Sequence, residues 1–146
     1  MRVPNNGVVL VADGEKMLFF RNQGDGEYLK LVVEEKETQD NPAHHEQATD
    51  TAGRAANTVG GRGGSMEDVD FHQLEEDRFA AGAAAMLKAR ALGNDFDALI
   101  VVAPPRTLGE LRKHYHKEVE RRLAGEIAKD LTGHPVAEIE RIIQAS

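Results

Sequence analysis

The chain has 146 residues, a formal net charge of −7 and no cysteine. This length suits one domain with a substantial core, and the absence of cysteine excludes disulfide frameworks, thiolate metal ligands and thiol enzymes. Phosphate binding depends on Lys and Arg that displace counterions, so an acidic chain is not expected to coat nucleic acid, and any contact with it must be local.

Apolar segments in the sequence are short. No apolar run approaches the ~20 residues of a membrane span, and the apolar run at Val8–Ala12 is shorter than the core of a signal peptide. We therefore expect residues 1–146 to form a single cytoplasmic domain without membrane contact.

Three strands are predicted in the first third of the chain. The apolar stretches Val8–Ala12 and Lys16–Phe20 flank Asp13 and Gly14, a pair typical of a short hairpin turn. Residues 28–33, "YLKLVV", then alternate between apolar and polar side chains, which predicts a third strand. The three strands should form an antiparallel meander.

A long loop is predicted at about residues 35–64, which contain hardly any large apolar side chains. The loop ends in the glycine-rich segment Gly53–Gly64. Ser65 and Asp68 form an S-x-x-D pattern that predicts the start of a helix. Apolar residues at helical spacing continue it to Gly93 and Asn94, a typical helix end. They are Phe71, Leu74, Phe79, Met86 and Leu87.

Strands and helices alternate in the second half of the chain. Residues Asp97–Ala103 form a continuous apolar run, which predicts a strand buried on both faces and ended by Pro104 and Pro105. A T-x-x-E pattern at Thr107 predicts the start of a second helix that continues to Glu118. Residues 119–131 fit either a helix or a strand, and we favour a strand at Arg121–Ile127. A terminal helix should follow Pro135.

The predicted order β-β-β-α-β-α-β-α gives an α/β fold with a mixed sheet of strand order 3-2-1-4-5, which is the ribonuclease H-like arrangement. Ligands of such sheets bind beyond the carboxyl ends of the strands, where the strand order reverses. This rule places Asp13 and Gly14 near the start of the second helix. The candidate binding residues on that side are Pro104, Pro105, Arg106 and Thr107.

Four segments of the chain resemble a bacterial family known as host attachment protein, or protein required for attachment to host cells. They are "VLVADGEKMLFF", "DTAGRAANTVGGRGG", "FDALIVVAPPRTLGELR" and "GEIAKDLTGHPVAEIE". The most specific part of the resemblance is the run at Ala103–Arg112. It implies a domain akin to the middle domain of archaeal and eukaryotic peptide release factors, and hence to release-factor-like proteins proposed to act on ribosomes.

The same resemblance draws attention to the tip of the glycine-rich loop. Release factors of this type carry a Gly-Gly-Gln tripeptide between the third strand and the first helix, where this chain has Gly60, Gly61 and Arg62. A guanidinium group donates hydrogen bonds but accepts none, so the departure favours contact of Arg54, Arg62 and Gly63 with RNA phosphate over hydrolysis of peptidyl-tRNA. The loop fits neither the Walker A nor the dinucleotide-binding fingerprint, and it could also be a simple connector.

A second candidate interface is the basic cluster of the predicted second helix. Its members include Arg106, Arg112, Lys113 and Lys117 in an otherwise acidic chain. Such a cluster either contacts an anionic partner or forms an ordinary solvated helix face. The partners expected on this basis are ribosomal RNA or an acidic protein, not DNA.

Catalytic constellations are not evident in the sequence. A two-metal nuclease needs several strand carboxylates, but the first strand offers only Asp13 at its tip and the fourth ends in Ala103. The serines, Ser65 and Ser146, lack a triad, and the histidines lack ligand spacing. We expect a non-enzymatic binding protein without metal or cofactor. The alternatives are a peptidyl-tRNA or ester hydrolase acting through the glycine-rich loop, and an adhesion factor.

Overall fold

The computed structural model describes residues 1–38 and 64–146, and the side chains of residues 1–38 and 71–146. The described strands form a mixed sheet in the order β3-β2-β1-β4-β5, as predicted. These strands are β1 (Val8–Ala12), β2 (Lys16–Asn22), β3 (Leu31–Thr38), β4 (Leu99–Val102) and β5 (Leu123–Ile127). The helices described are α1 (Gly64–Leu92), α2 (Pro105–Arg112), α3 (Lys117–Arg122) and α4 (Val136–Ala145).

Strand pairing follows from the lengths of the connections. The tight turn after β1 makes β1 and β2 antiparallel, and β3 is antiparallel to β2. β4 is parallel to β1 and β5 is parallel to β4, because each pair is joined by a connection that crosses over through a helix. The carboxyl ends of β1, β4 and β5 therefore lie at one edge of the sheet.

The sheet is covered on both faces by helices. One core contains Leu10 and Phe19 packed against the Ala- and Leu-rich face of α1, with side chains from α2 and α3. The other contains Val9 and Phe20 packed against α4. Because β1 and β4 are buried on both faces, their sequences are continuously apolar rather than alternating.

The third strand begins and ends later than predicted, at residues 31–38 instead of 28–33. The prediction placed its acidic second half in the loop because that half has no large apolar side chains. In the structure, Glu34 and Glu35 are paired with arginines of other elements, so this half can remain in the sheet. A register shift opposite Phe19 and Phe20 marks a β-bulge within the same stretch.

The second helix also differs from its prediction. It begins at Pro105, with Pro104 as N-cap and no side-chain cap, so Thr107 lies inside the first turn. The fixed φ of proline suits the first helical position, which makes a capping box unnecessary. The helix ends at Arg112 instead of continuing to Glu118.

The ambiguous segment after α2 contains both a helix and a strand. A further helix, α3, begins after His116, whose Nδ1 accepts a hydrogen bond from the Glu118 backbone N–H at 3.0 Å. Strand β5 then starts at Leu123, two residues later than predicted. The predicted helix end at Asn94 is confirmed, since Asn94 adopts φ 60°. Within the described ranges, no helix is both long enough and apolar enough to cross a membrane.

Candidate functional site

The turn at the tip of the first hairpin is fixed by Asp13. One carboxylate oxygen accepts hydrogen bonds from the backbone N–H groups of Glu15 and Lys16, at 2.7 and 2.8 Å. The other lies 2.8 Å from the hydroxyl of Thr132, in the connection between β5 and α4. Asp13 therefore links the β1–β2 turn to the β5–α4 connection, at the carboxyl ends of the parallel strands. This use of the side chain is structural.

Arg106 approaches the same turn through a glutamate of α1. The Nε atom of Arg106 lies 3.3 Å from a carboxylate oxygen of Glu76, and a Cβ placed on Gly14 would lie only 3.2 Å from Cγ of Glu76. The Arg106 guanidinium also donates to Gln73. Glu76 of α1 therefore lies beside both the β1–β2 turn and the start of α2.

The basic residues of α2 and α3 are almost all paired with carboxylates. Arg112 makes a bidentate contact with Glu126 of β5, in which Nη2 lies 2.7 Å from Oε1. Lys113 lies 3.2 Å from Glu110, and the described residues provide no ion-pair partner for Lys117. We use the name α2–α3 surface for the exposed cations of these helices. They are Arg106, Arg112, Lys113, Lys117 and Arg121.

Each paired cation of the α2–α3 surface is more exposed than its carboxylate partner. The side chains of the four paired cations are 55–66 % exposed, whereas those of Glu76, Glu110, Glu118 and Glu126 are 13–31 % exposed. Positive charge is therefore on the outside of these pairs. At each of these pairs an approaching molecule meets the cation before its carboxylate partner, although Glu120 of α3 is an exposed carboxylate nearby.

Arg122 has a different environment from the other basic residues of α3. It is only 8 % exposed, and its guanidinium donates to the carbonyl oxygen of Phe96 at 2.9 Å and to Oδ1 of Asn94 at 3.1 Å. It also contacts Glu118 at 2.8 Å. Hydrogen bonds from Arg121 and Arg122 lower the pKa of Glu118 to about 2, so this carboxylate is charged at neutral pH.

Histidines near this surface have structural partners. Nε2 of His114 lies 3.0 Å from an oxygen of Asp77 in α1, and this hydrogen bond holds the pKa of Asp77 below its usual value. His116 caps α3. Among the residues that the structure describes, no three His, Asp or Glu side chains are grouped so that they could hold a metal ion.

A second group of ion pairs lies at the opposite edge of the sheet, where β1 and β4 begin. Arg21 contacts Glu34 at 2.8 Å and Asp95 at 2.7 Å. Arg90 contacts Asp95 at 2.8 Å and Glu35 at 3.1 Å. We call these five residues the amino-edge network. No sequence pattern indicates this network, because its members come from β2, β3, α1 and the segment before β4.

A model of the family described as bacterial archaeo-eukaryotic release factor family 12 matches residues 6–143. The chain belongs to this family. A search of curated proteins returned no significant match. The release-factor-like part of the resemblance is thus confirmed over almost the whole chain. Attachment to host cells is absent from the family description, so that part of the resemblance stays a prediction.

The glycine-rich tip of this release-factor-family protein lies outside the described residues. This applies to the candidates Arg54, Gly60, Gly61, Arg62 and Gly63. Helix α1 begins at Gly64, as the predicted start near Ser65 required, although the side chains of that first stretch are also outside the description. The α2–α3 surface is therefore the candidate interface whose geometry can be described.

Proposed function

We propose that this member of the release-factor family is a non-enzymatic binding protein that docks on ribosomal RNA through its α2–α3 surface. The observation that carries the proposal is the order of charges in the ion pairs, with cations outside and carboxylates inside. This order gives an acidic protein a local cationic surface. Membership of a family named after release factors supports the ribosome as the source of the RNA.

The existing ion pairs do not prevent such docking. An exposed ion pair typically contributes only about 0–1 kcal/mol, so an RNA phosphate can replace a carboxylate partner at little cost. Arg112 is suited to this exchange. Its guanidinium already makes a bidentate contact with Glu126 through two N–H groups, and it can bind a phosphate in the same bidentate way. Lys117 needs no exchange, since no described carboxylate pairs with it.

Binding is favoured over bond cleavage for chemical reasons. Asp13, at the carboxyl end of β1, accepts hydrogen bonds on both oxygens. His114 and His116 are engaged with Asp77 and the α3 backbone. A general base needs a free acceptor within reach of the proton it removes, and these side chains are occupied by structural contacts.

The proposal can be tested by sedimentation with purified 70S ribosomes at increasing KCl. Wild-type protein should sediment with ribosomes at about 50 mM KCl and dissociate by about 300 mM, because released counterions make phosphate binding salt-dependent. A variant with Arg112, Lys113 and Lys117 replaced by Glu should bind at least about tenfold more weakly, since three phosphate contacts become repulsive.

A matched control separates the α2–α3 surface from net charge. The control replaces Lys30, Lys88 and Arg141 by Glu, three exposed cations located elsewhere on the molecule. It should bind within about twofold of wild type if the contact is local. Equal losses in both variants, or no sedimentation of wild type at low salt, would contradict the proposal. Release of peptide from peptidyl-tRNA on these ribosomes would instead support the hydrolase alternative.

A further inference from the structure

An open groove lies on the α4 side of the sheet, where α4 leaves part of β2 and β3 uncovered. Its floor consists of three successive cross-strand pairs, Phe20 with Val33, Leu18 with Lys36, and Lys16 with Thr38. Its other wall comes from the β5–α4 connection and the start of α4. The residues of that wall are Thr132, His134 and Val136. The groove has a volume of about 290 Å³.

The inner part of the groove is apolar and open to solvent. Val33 and Val136 are 47 % and 40 % exposed, and they belong to the few large apolar side chains that the described residues expose. They face each other across a floor containing Leu18 and Phe20. A ligand with an apolar group could therefore remove two exposed valines from water at once.

The outer part of the groove is polar, with two lysines on the strands and the carboxylates of Asp13 and Asp130 behind Thr132 of the wall, 2.8 and 2.9 Å from its hydroxyl. Lys16, Lys36 and His134 line it, and neither lysine has an ion-pair partner among the described residues. Most described arginines, in contrast, are paired with carboxylates. Glu37 also borders the groove, but it pairs with Met17, whose side chain belongs to the core on the α1 side. Strand alternation therefore directs the Glu37 carboxylate away from the two lysines.

We propose that this groove binds a small amphiphilic anion, a carboxylate attached to an apolar group. The carboxylate lies between Lys16 and Lys36, and the apolar group covers Leu18, Val33 and Val136. The volume is at the lower limit of small-molecule sites, which fits a ligand of about ten heavy atoms. The proposal is independent of ribosome binding, because the groove and the α2–α3 surface are on opposite faces of the sheet.

The first test uses wild-type protein and needs no variant. In an NMR titration of ¹⁵N-labelled protein, sodium octanoate should shift the amide signals of β2, β3 and the start of α4. Octanamide has the same chain without the charge, and its affinity should be at least about fivefold lower, because the two lysines attract the carboxylate. Equal affinities, or shifts on another surface, would overturn the proposal.

Variants then assign the binding energy to the two parts of the groove. Replacing Lys16 and Lys36 by Gln should weaken octanoate binding about tenfold and leave octanamide binding unchanged. The matched control Lys88→Gln, on α1, should bind octanoate like wild type. Val33→Asp should abolish octanoate binding by removing an apolar contact and adding repulsion. Unchanged affinity in the double lysine variant would contradict the proposal, and circular dichroism of each variant verifies the fold.

Discussion

The amino-edge network and the α2–α3 surface use the same residue types in opposite arrangements. In the amino-edge network, the arginines are the inner partners. Arg21 and Arg90 are 13 % and 24 % exposed, and their carboxylate partners are 31–38 % exposed. At the α2–α3 surface, the carboxylates are the inner partners. The comparison shows that the sign of the charge exposed at a group of ion pairs depends on which member of each pair is outside, not on the net charge of the chain.

The two arrangements also differ in what they contribute. Arg90 lies 4.1 Å from the ring centroid of Phe19, a core residue, so the amino-edge network is continuous with the hydrophobic core. It joins β2, β3, α1 and the start of β4. Among the described residues, no outer cation of the α2–α3 surface lies over an aromatic ring. We infer that the first region stabilises the fold and that the second is available for recognition.

The largest effect is expected from Arg122, which belongs to α3 but is an inner cation. Arg122→Met retains much of the apolar stem but leaves the Phe96 carbonyl and Asn94 without their donor. The Phe96 carbonyl is buried, whereas Asn94 is exposed and can be solvated. An unsatisfied buried acceptor together with the lost Glu118 contact should cost about 2–3 kcal/mol of unfolding free energy. Urea unfolding at pH 7 measures this loss. The outer neighbour Arg121→Met should leave the midpoint near that of wild type, and equal losses would refute the distinction between inner and outer cations.

A smaller loss of stability is expected from the amino-edge network. Arg90→Met removes the contacts with Glu34, Glu35 and Asp95 together with the contact on Phe19. Partly exposed ion pairs and cation–π contacts are individually weak, so we expect a loss of about 1–2 kcal/mol in the same urea experiment. A variant as stable as wild type would show that the network is incidental.

The pH dependence of the stability loss in Arg90→Met tests whether the loss comes from the ion pairs. Desolvation raises the pKa of Asp95, but hydrogen bonds from Arg90 and Arg21 outweigh it, and the pKa lies below its ordinary value. The stabilisation from this carboxylate is therefore present above about pH 4 and is lost as the pH falls through the lowered pKa. The difference between wild type and Arg90→Met should be constant from pH 6 to 5 and should narrow below about pH 4.

The smallest effect is expected from replacing an inner carboxylate of the α2–α3 surface. Glu126→Gln removes the charge beneath Arg112 and frees this outer cation from its ion pair. Ribosome affinity at low salt should rise about two- to threefold, because the phosphate no longer competes with a carboxylate. Glu34→Gln, in the amino-edge network, should not change ribosome affinity. If Glu126→Gln weakened sedimentation, Arg112 would not be a contact residue.

Much of the fold could be predicted because its determinants are local. The continuous apolar runs of β1 and β4, the Asp13–Gly14 turn and the Gly93–Asn94 helix end are sequence patterns with direct structural causes. The order of strands then followed from short and long connections. The errors arose where distant residues decide the outcome, as in β3, whose glutamates are neutralised by Arg21 and Arg90.

The candidate interface was predicted less completely, because two of its carboxylate partners are also distant in sequence. The sequence identifies Arg106, Arg112, Lys113 and Lys117 as a basic cluster, but it cannot indicate that Arg106 and Arg112 are paired with carboxylates of other elements. Glu76 and Glu126 come from elements far apart in sequence, so no spacing rule reveals them. The groove beside α4 was missed altogether, because cross-strand neighbours and partial helix coverage are properties of the packed sheet.

The β-bulge in β3 decides which charges appear on each face of the sheet. Glu34 is the extra residue at the register shift, and both Glu34 and Glu35 reach Arg90 on the α1 side. A regular ladder would move the following residues to the opposite face, so that Glu35 rather than Lys36 would lie beside Leu18. The one extra residue of the bulge thus keeps Glu34 and Glu35 on the face of Arg90 and keeps Lys36 in the groove. In evolutionary terms, an insertion or deletion here would exchange the polarity of two surfaces in one step.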